Sequence, residues 1–185
     1  MIAAFIELSR HTRVIWRYDP IIITSKYNNV RAFTKLCGLL AGSAEKCVVS
    51  FVNAYQFVAN NLAAVGHVEQ TIERKLQLAV HLQRIASEHS IALCACCEEL
   101  NLPAISCIDA SLFNTIAPRD KNQRKDCNCI DIGAYNSCMN GCVYCYANHS
   151  QVKVRANFAG HDAKAEWVVG EGKICLLSCA KYAII

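Results

Sequence analysis

The chain has no apolar run approaching the ~20 residues that a membrane span requires. Its opening, MIAAFIEL, leads into Ser9-Arg10-His11-Thr12-Arg13 and not into a small-residue cleavage site. Neither a membrane anchor nor a signal peptide is expected, and the compartment the residues point to is the cytoplasm. Charge of one sign is scarce as well. The formal net charge is +4 at pH 7 with 18% of residues charged, and the basic run lies at residues 119–125, whereas a nucleic-acid binder is better marked by a clustered basic face. A hydrophobic content of 54% argues against a disordered chain, and 185 residues give one domain-sized unit with room for a substantial core.

What the sequence has in quantity is cysteine, thirteen in all. Without a secretion signal these argue against a disulfide framework, because a reducing compartment keeps thiols available to metals. Cys138, Cys142 and Cys145 stand at C-x3-C-x2-C spacing around Gly141, in a short turn that lets three sulfurs face one point. A structural zinc site closes its tetrahedron with a fourth protein ligand, whereas three thiolates alone suit a four-iron cluster with one iron left open. The spacing favours iron-sulfur chemistry. Cys97, Cys107, Cys127 and Cys129 make a candidate second set, able to hold zinc or an auxiliary cluster. Cys37, Cys47, Cys94 and Cys96 lie within apolar elements and read as small core residues, and Cys175 and Cys179 as ordinary thiols.

In order, the chain reads as apolar strands alternating with amphipathic helices. Residues 13–18 (RVIWRY) are branched and aromatic and are followed by Asp19-Pro20, which predicts a strand ending at a turn. Residues 28–40 carry Val30, Phe33, Leu36 and Leu40 on one helical face. Residues 47–52 (CVVSFV) form a second strand and 55–65 a helix closed by Gly66. Over 68–87 the apolar residues Val68, Ile72, Leu76, Ala79, Leu82 and Ile85 recur every three or four positions, the clearest helix of the chain. Residues 90–96 and 104–108 give strands three and four. Strand, helix, strand, helix, strand is the pattern of an α/β fold with a parallel sheet and outer helices. Residues 117–136 then have loop chemistry with no hydrophobic period, and the tail beyond Asn148 is weakly patterned, with short strands expected at 167–169 and 174–177.

Parallel sheets concentrate chemistry at the carboxyl ends of their strands. Polar residues of this chain fall there: strand one ends in Arg17 and Asp19, strand three runs into Glu98, and strand four ends in Asp109. These four are the candidate catalytic residues. Each has a plainer reading, Arg17 with Asp19 as a structural pair and Asp109 as a helix cap.

Several of these stretches together carry a resemblance. VIWRYDPII (14–22), EKCVVSFV (45–52), CEE (97–99), SCIDA (106–110), KNQRKDCNCIDIGAYNSC (121–138) and NGCVYCYAN (140–148) resemble, in the same order, the bacterial family known as domain of unknown function 1848. The resemblance covers residues 14 to about 170. The C-x3-C-x2-C turn, with Tyr144 before its last cysteine, is also similar to the cluster loop of radical S-adenosylmethionine (SAM) enzymes. What the resemblance implies is a TIM-barrel-like body and a [4Fe-4S] cluster on Cys138, Cys142 and Cys145, whose open iron would take the amino and carboxylate groups of SAM. Tyr144 and Tyr146 would then pack over the cluster or the adenine, and a ferredoxin or flavodoxin would supply electrons to act on a substrate that the sequence does not name. Family members carry further βα units before VIWRYDP, so the chain resembles an N-terminally shortened member. Four strands make only a partial barrel, since a full one takes ~250 residues, and the open sheet edge implies self-association.

The competing reading is a structural zinc module without catalysis, in which Cys127-x-Cys129 and Cys142-x2-Cys145 supply paired thiols and Arg119, Arg124 and Lys125 a basic approach for nucleic acid. The expected organisation is a partial barrel body over 1–115, a cysteine-rich metal-binding loop over 116–150 and a C-terminal tail, 151–185, packed on the same domain.

Overall fold

The computed structural model describes residues 2–56, 58–96, 98–105, 134–165 and 169. Among the described residues nine elements follow one another: helix α1 (Ile2–Ser9), strand β1 (Trp16–Ile21), α2 (Asn29–Leu40), β2 (Lys46–Phe51), α3 (Ala59–Ala64), α4 (Ile72–Glu88), β3 (Ala92–Cys96), β4 (Ala104–Ile105) and α5 (Gln151–Ala159). The strands form one sheet in the order β1-β2-β3-β4, parallel throughout. The expected α/β architecture is the one observed.

The chain divides into two compact units, one of residues 1–54 with 62–130, the other of 55–61 with 131–185. The first holds the sheet. Its register places Trp16, Cys47 and Leu93 in one row across three strands, Arg17, Val48 and Cys94 in the next, and Tyr18, Val49 and Ala95 in the third. Because side chains alternate along a strand, successive rows point to opposite faces. The first and third rows belong to the hydrophobic core, packed with Phe33, Cys37 and Leu40 of α2 and Ala79, Leu82, Ile85 and Ala86 of α4. Phe33, fully buried, stacks on Trp16 with ring centres 5.1 Å apart and meets Tyr18 edge-on at the same distance. Such a pair adds about 0.5–1.5 kcal/mol beyond the area it buries. The middle row is left for the face away from these helices.

The helix boundaries follow from caps. Asn28 accepts the Arg31 N–H at the start of α2, and Thr71 does the same for Arg74 at the start of α4. The periodic stretch expected from 68 therefore becomes helical only at Ile72; Val68 lies before the helix and donates its N–H to the Ile23 carbonyl. At the other end Ser90 takes a positive φ of 58° and Ile91 bonds back to the Ala86 carbonyl, which delays β3 to Ala92. Strand β1 runs through Asp19-Pro20 where a turn was expected. Pro20 has no N–H to give a ladder, which an edge strand tolerates, and the register with β2 shifts between Tyr18 and Ile21. Of the fourth strand, residues 104–105 are described, paired to Ala95 and Cys96.

In the second unit, α5 was not foreseen in the weakly patterned tail. It is capped by Ser150, which accepts the Lys153 N–H, ends at Gly160, and buries Val154. The strands expected at 167–169 and 174–177, with Cys175 and Cys179, fall outside the described residues apart from Val169. No helix among the described residues is long and apolar enough to cross a membrane.

Candidate functional site

On the sheet, chemistry gathers on the face turned away from α2 and α4. Arg17 sits in the row with Val48 and Cys94. Its Nε and Nη2 both donate to Oδ2 of Asp19, at 3.1 and 2.5 Å. The other carboxylate oxygen of Asp19 accepts a short hydrogen bond from Ser50 Oγ, two positions beyond Val48 on β2. Asp19 is therefore fixed from both sides, with its side chain 19% exposed, while Arg17 keeps 39% of its side chain in contact with solvent. Burial by itself would weaken the Arg17 charge, but bonds to Cys96 and Asp19 outweigh it and hold the guanidinium protonated above its already high ordinary value. At the end of β3, Glu98 Oε1 accepts the Phe51 N–H at 3.1 Å. The charged fork of Arg17 and the pinned carboxylate of Asp19 thus lie within β1, not at its end as expected, because the strand runs on to Ile21, and the second carboxylate, Glu98, follows the end of β3. Such a set can bind and orient polar groups of a ligand.

Two cysteines of the core behave as the sequence suggests. Cys37 of α2 and Cys47 of β2 are fully buried in the core between the sheet and its helices. Burial pushes the Cys37 thiol up to about 11 and Cys47 higher still. Asp109 and the second-set thiols Cys97, Cys107, Cys127 and Cys129 fall outside the described residues.

The cysteine turn belongs to the second unit and is built on Asn136. This residue takes the left-handed conformation at φ 56°, which asparagine tolerates better than most side chains. Its Oδ1 accepts the N–H groups of His149 and Ser150 at 2.8 and 3.0 Å, and its own N–H reaches the Ala147 carbonyl at 2.9 Å. Asn157 of α5 donates to the Asn136 carbonyl at 3.0 Å, and Asn148 to that of Cys138 at 2.7 Å. Residues 136–150 are thereby closed into a loop at a hydrogen-bonded neck. Within it, Gly141 at φ 64° and the Cys145 N–H to Cys142 carbonyl bond at 3.0 Å turn the chain back on itself.

Cys138 and Cys142 are exposed and Cys145 is half-buried, all three as free thiols. Tyr146 packs against Tyr55 with ring centres 5.5 Å apart, and Tyr135 stacks on His149 at the neck, also at 5.5 Å. Tyr144 is half-buried within the turn. Among the described residues no three His, Cys, Asp or Glu side chains converge closely enough to hold a metal. The donor set still fits an iron-sulfur cluster in its chemistry: three soft, unoxidised, accessible thiols within eight residues of one tied loop, whose side chains have to be drawn together for a metal to be bound.

The chain matches the family described as Domain of unknown function (DUF1848) over residues 1–147. It belongs to that family. The DUF1848 match begins ahead of VIWRYDP, where the resemblance read from the motifs starts, and so takes in α1. It also takes in Arg17, Asp19, Glu98 and the whole C-x3-C-x2-C turn, and ends before α5. Comparison with curated proteins and with solved structures gave no match.

Sequence reading missed two residues that shape these sites. Ser50 was legible as the one polar residue in CVVSFV, two places from Val48 and so on the same strand face. Asn136 carried a weaker signal, an asparagine next to an aromatic and a serine at a loop entrance.

Proposed function

We propose that this DUF1848 protein is an iron-sulfur enzyme of the radical-SAM-like kind, with Cys138, Cys142 and Cys145 as the cluster ligands. The observation that carries the reading is the donor set itself: three free thiols at C-x3-C-x2-C spacing on one loop closed at its neck. A bound cluster of this type, supplied with electrons by a ferredoxin or flavodoxin, confers reductive cleavage of SAM. The chain's own residues do the rest. The Asn136 neck keeps the three cysteines on a short tether. Tyr144 and Tyr146 offer aromatic surface beside them for packing over the cluster or the adenine. On the sheet, Arg17 presents a permanent positive charge to a substrate anion, Asp19 is held by Arg17 and Ser50 as a fixed acceptor, and Glu98 adds a second carboxylate.

Anaerobic purification and reconstitution with iron and sulfide test this directly. The expected product is a brown protein with about four irons per chain, reduced to background when Cys138, Cys142 and Cys145 are replaced by Ala. With a reductant, the loaded protein is expected to convert SAM to 5′-deoxyadenosine. A colourless protein holding stoichiometric zinc would overturn the proposal in favour of a structural metal module; iron without SAM cleavage would reduce it to an electron carrier.

A further inference from the structure

Among the described residues, one buried side-chain nitrogen or oxygen lacks a hydrogen bond: Nε2 of His67. The imidazole has 9% of its side chain exposed. Its other nitrogen, Nδ1, lies 3.1 Å from the Ile23 carbonyl, which can only accept, so Nδ1 carries a proton and Nε2 of the neutral ring is a lone pair. That lone pair faces Oε2 of Glu69 at 3.5 Å, one acceptor toward another. A proton on Nε2 turns the same contact into a charge-assisted pair. Buried polar atoms without partners are rare enough to call for an explanation, and this one has an explanation that depends on protonation.

The position of His67 gives the event a consequence. His67 pairs with Thr24 in an isolated antiparallel bridge, and the neighbouring Val68 N–H also reaches the Ile23 carbonyl, at 3.0 Å. Thr24 Oγ1 in turn accepts the N–H groups of Lys26 and Tyr27 at 3.3 and 3.0 Å. The loop between β1 and α2 is thus held at its start by His67 and at its end by the Asn28 cap. It forms one wall of a groove of about 350 Å³ lined by Ile23, Lys26, Tyr27, Asn28, Val30 and Leu78. The charged groups that reach His67 are Glu69 and, through it, Lys75 of α4, whose Nζ bonds Glu69 Oε1 at 2.8 Å and lies over the Phe51 ring. The Lys75 bond is the main cause that holds the Glu69 carboxyl below its ordinary value, so Glu69 is ionised wherever an imidazole titrates.

We propose that His67 is a pH-sensitive latch on the β1–α2 loop: protonated, it ties Ile23 to Glu69 and the start of α4; deprotonated, it loses the second tie and the groove wall loosens. The latch lies within the sheet unit and does not rest on the iron-sulfur reading.

Amide hydrogen exchange of the full chain tests it, read by mass spectrometry between about pH 5 and pH 8 and corrected for the intrinsic pH dependence of exchange. Protection of residues 22–28 and 67–70 is expected to fall roughly two- to fivefold across that range, the size expected of a partly exposed ion pair. Glu69 has 62% of its side chain exposed, so Glu69→Gln spares the fold, and it should flatten the response. Lys75→Met leaves the His67–Glu69 contact in place but cuts the link to α4, and should weaken the response without abolishing it. Protection in the wild type that does not change with pH, or a Glu69→Gln chain that responds as the wild type does, would overturn the latch.

Discussion

Cysteines of the sheet unit and cysteines of the loop unit are the same chemical group in opposite circumstances. Cys37 and Cys47 have no exposed surface, sit among Phe33, Leu82 and Val49, and are pushed toward the neutral thiol by burial. Cys138 and Cys142 are exposed on a loop fixed by side-chain amides of Asn136, Asn148 and Asn157. The first pair contributes volume, as a small apolar residue does. The second, in the proposed reading, contributes sulfur. A count of thirteen cysteines therefore says little until each is assigned to a strand, helix or loop, because the environment decides whether a thiol is filler or ligand.

The comparison can be broken most forcefully from the sheet side. Phe33 is fully buried, stacked on Trp16 and edge-on to Tyr18, and it stands one helical turn from Cys37. Phe33→Ala should cost about 3–5 kcal/mol of stability, through lost burial and the cavity left behind. The measurement is the denaturant midpoint together with labelling by a thiol reagent. In the wild type Cys138 and Cys142 are expected to label in the folded protein, while Cys37 and Cys47 wait for unfolding. In the variant Cys37 and Cys47 should label faster in proportion to the unfolded population, with no change at Cys138 and Cys142. Equal labelling of both sets in the folded wild type would erase the distinction.

From the loop side the expected effect is smaller. Asn136→Ala removes the acceptor for the His149 and Ser150 N–H groups and puts a Cβ residue with no polar side chain at φ 56°. About 1–3 kcal/mol of local stability should be lost. Hydrogen exchange should accelerate in residues 136–150 and stay unchanged in β2. Iron uptake after reconstitution should fall, because the three cysteines lose their common tether. Unchanged exchange at 136–150 would show that the neck is held by something other than Asn136.

How much of this was legible beforehand depends on the kind of signal. Elements of the sheet unit announced themselves, because buried strands such as CVVSFV and the apolar stripe of α4 leave a periodicity that the solvent imposes on any such fold. Their ends were less legible. Where α4 begins is set by the Thr71 cap and by the Val68 bond to Ile23, a contact 45 residues apart that no local pattern contains. Strand β1 passes through Asp19-Pro20 because it lies at the edge of the described sheet, a tertiary circumstance. The cysteine turn was legible as chemistry from its spacing, but its neck was not, since Asn136 works through bonds 11 to 21 residues away. Helix α5 was missed because it buries little more than Val154, so no apolar stripe marks it.

The smallest effect sharpens the comparison through protons. The Cys37 thiol, raised from an ordinary value of 9.0 to about 11 by burial, stays protonated in the folded chain where the unfolded chain has begun to ionise. Between those values the unfolded state binds fewer protons than the folded one, so stability that is fully present below pH 9 falls as the pH rises and levels off above about 11. At about pH 9.5 the loss due to this one group should stay under about 1 kcal/mol. Tyr18 and Cys47, both pushed up chiefly by burial, add to the decline in the same direction. Urea midpoints of the wild type and of Cys37→Ala between about pH 8 and pH 10 measure it. The variant starts lower through lost packing, yet its midpoint should decline less steeply. Parallel declines for the wild type and Cys37→Ala would mean that the buried thiol ionises as freely in the folded chain as in the unfolded one, and burial would no longer account for its place among the core residues.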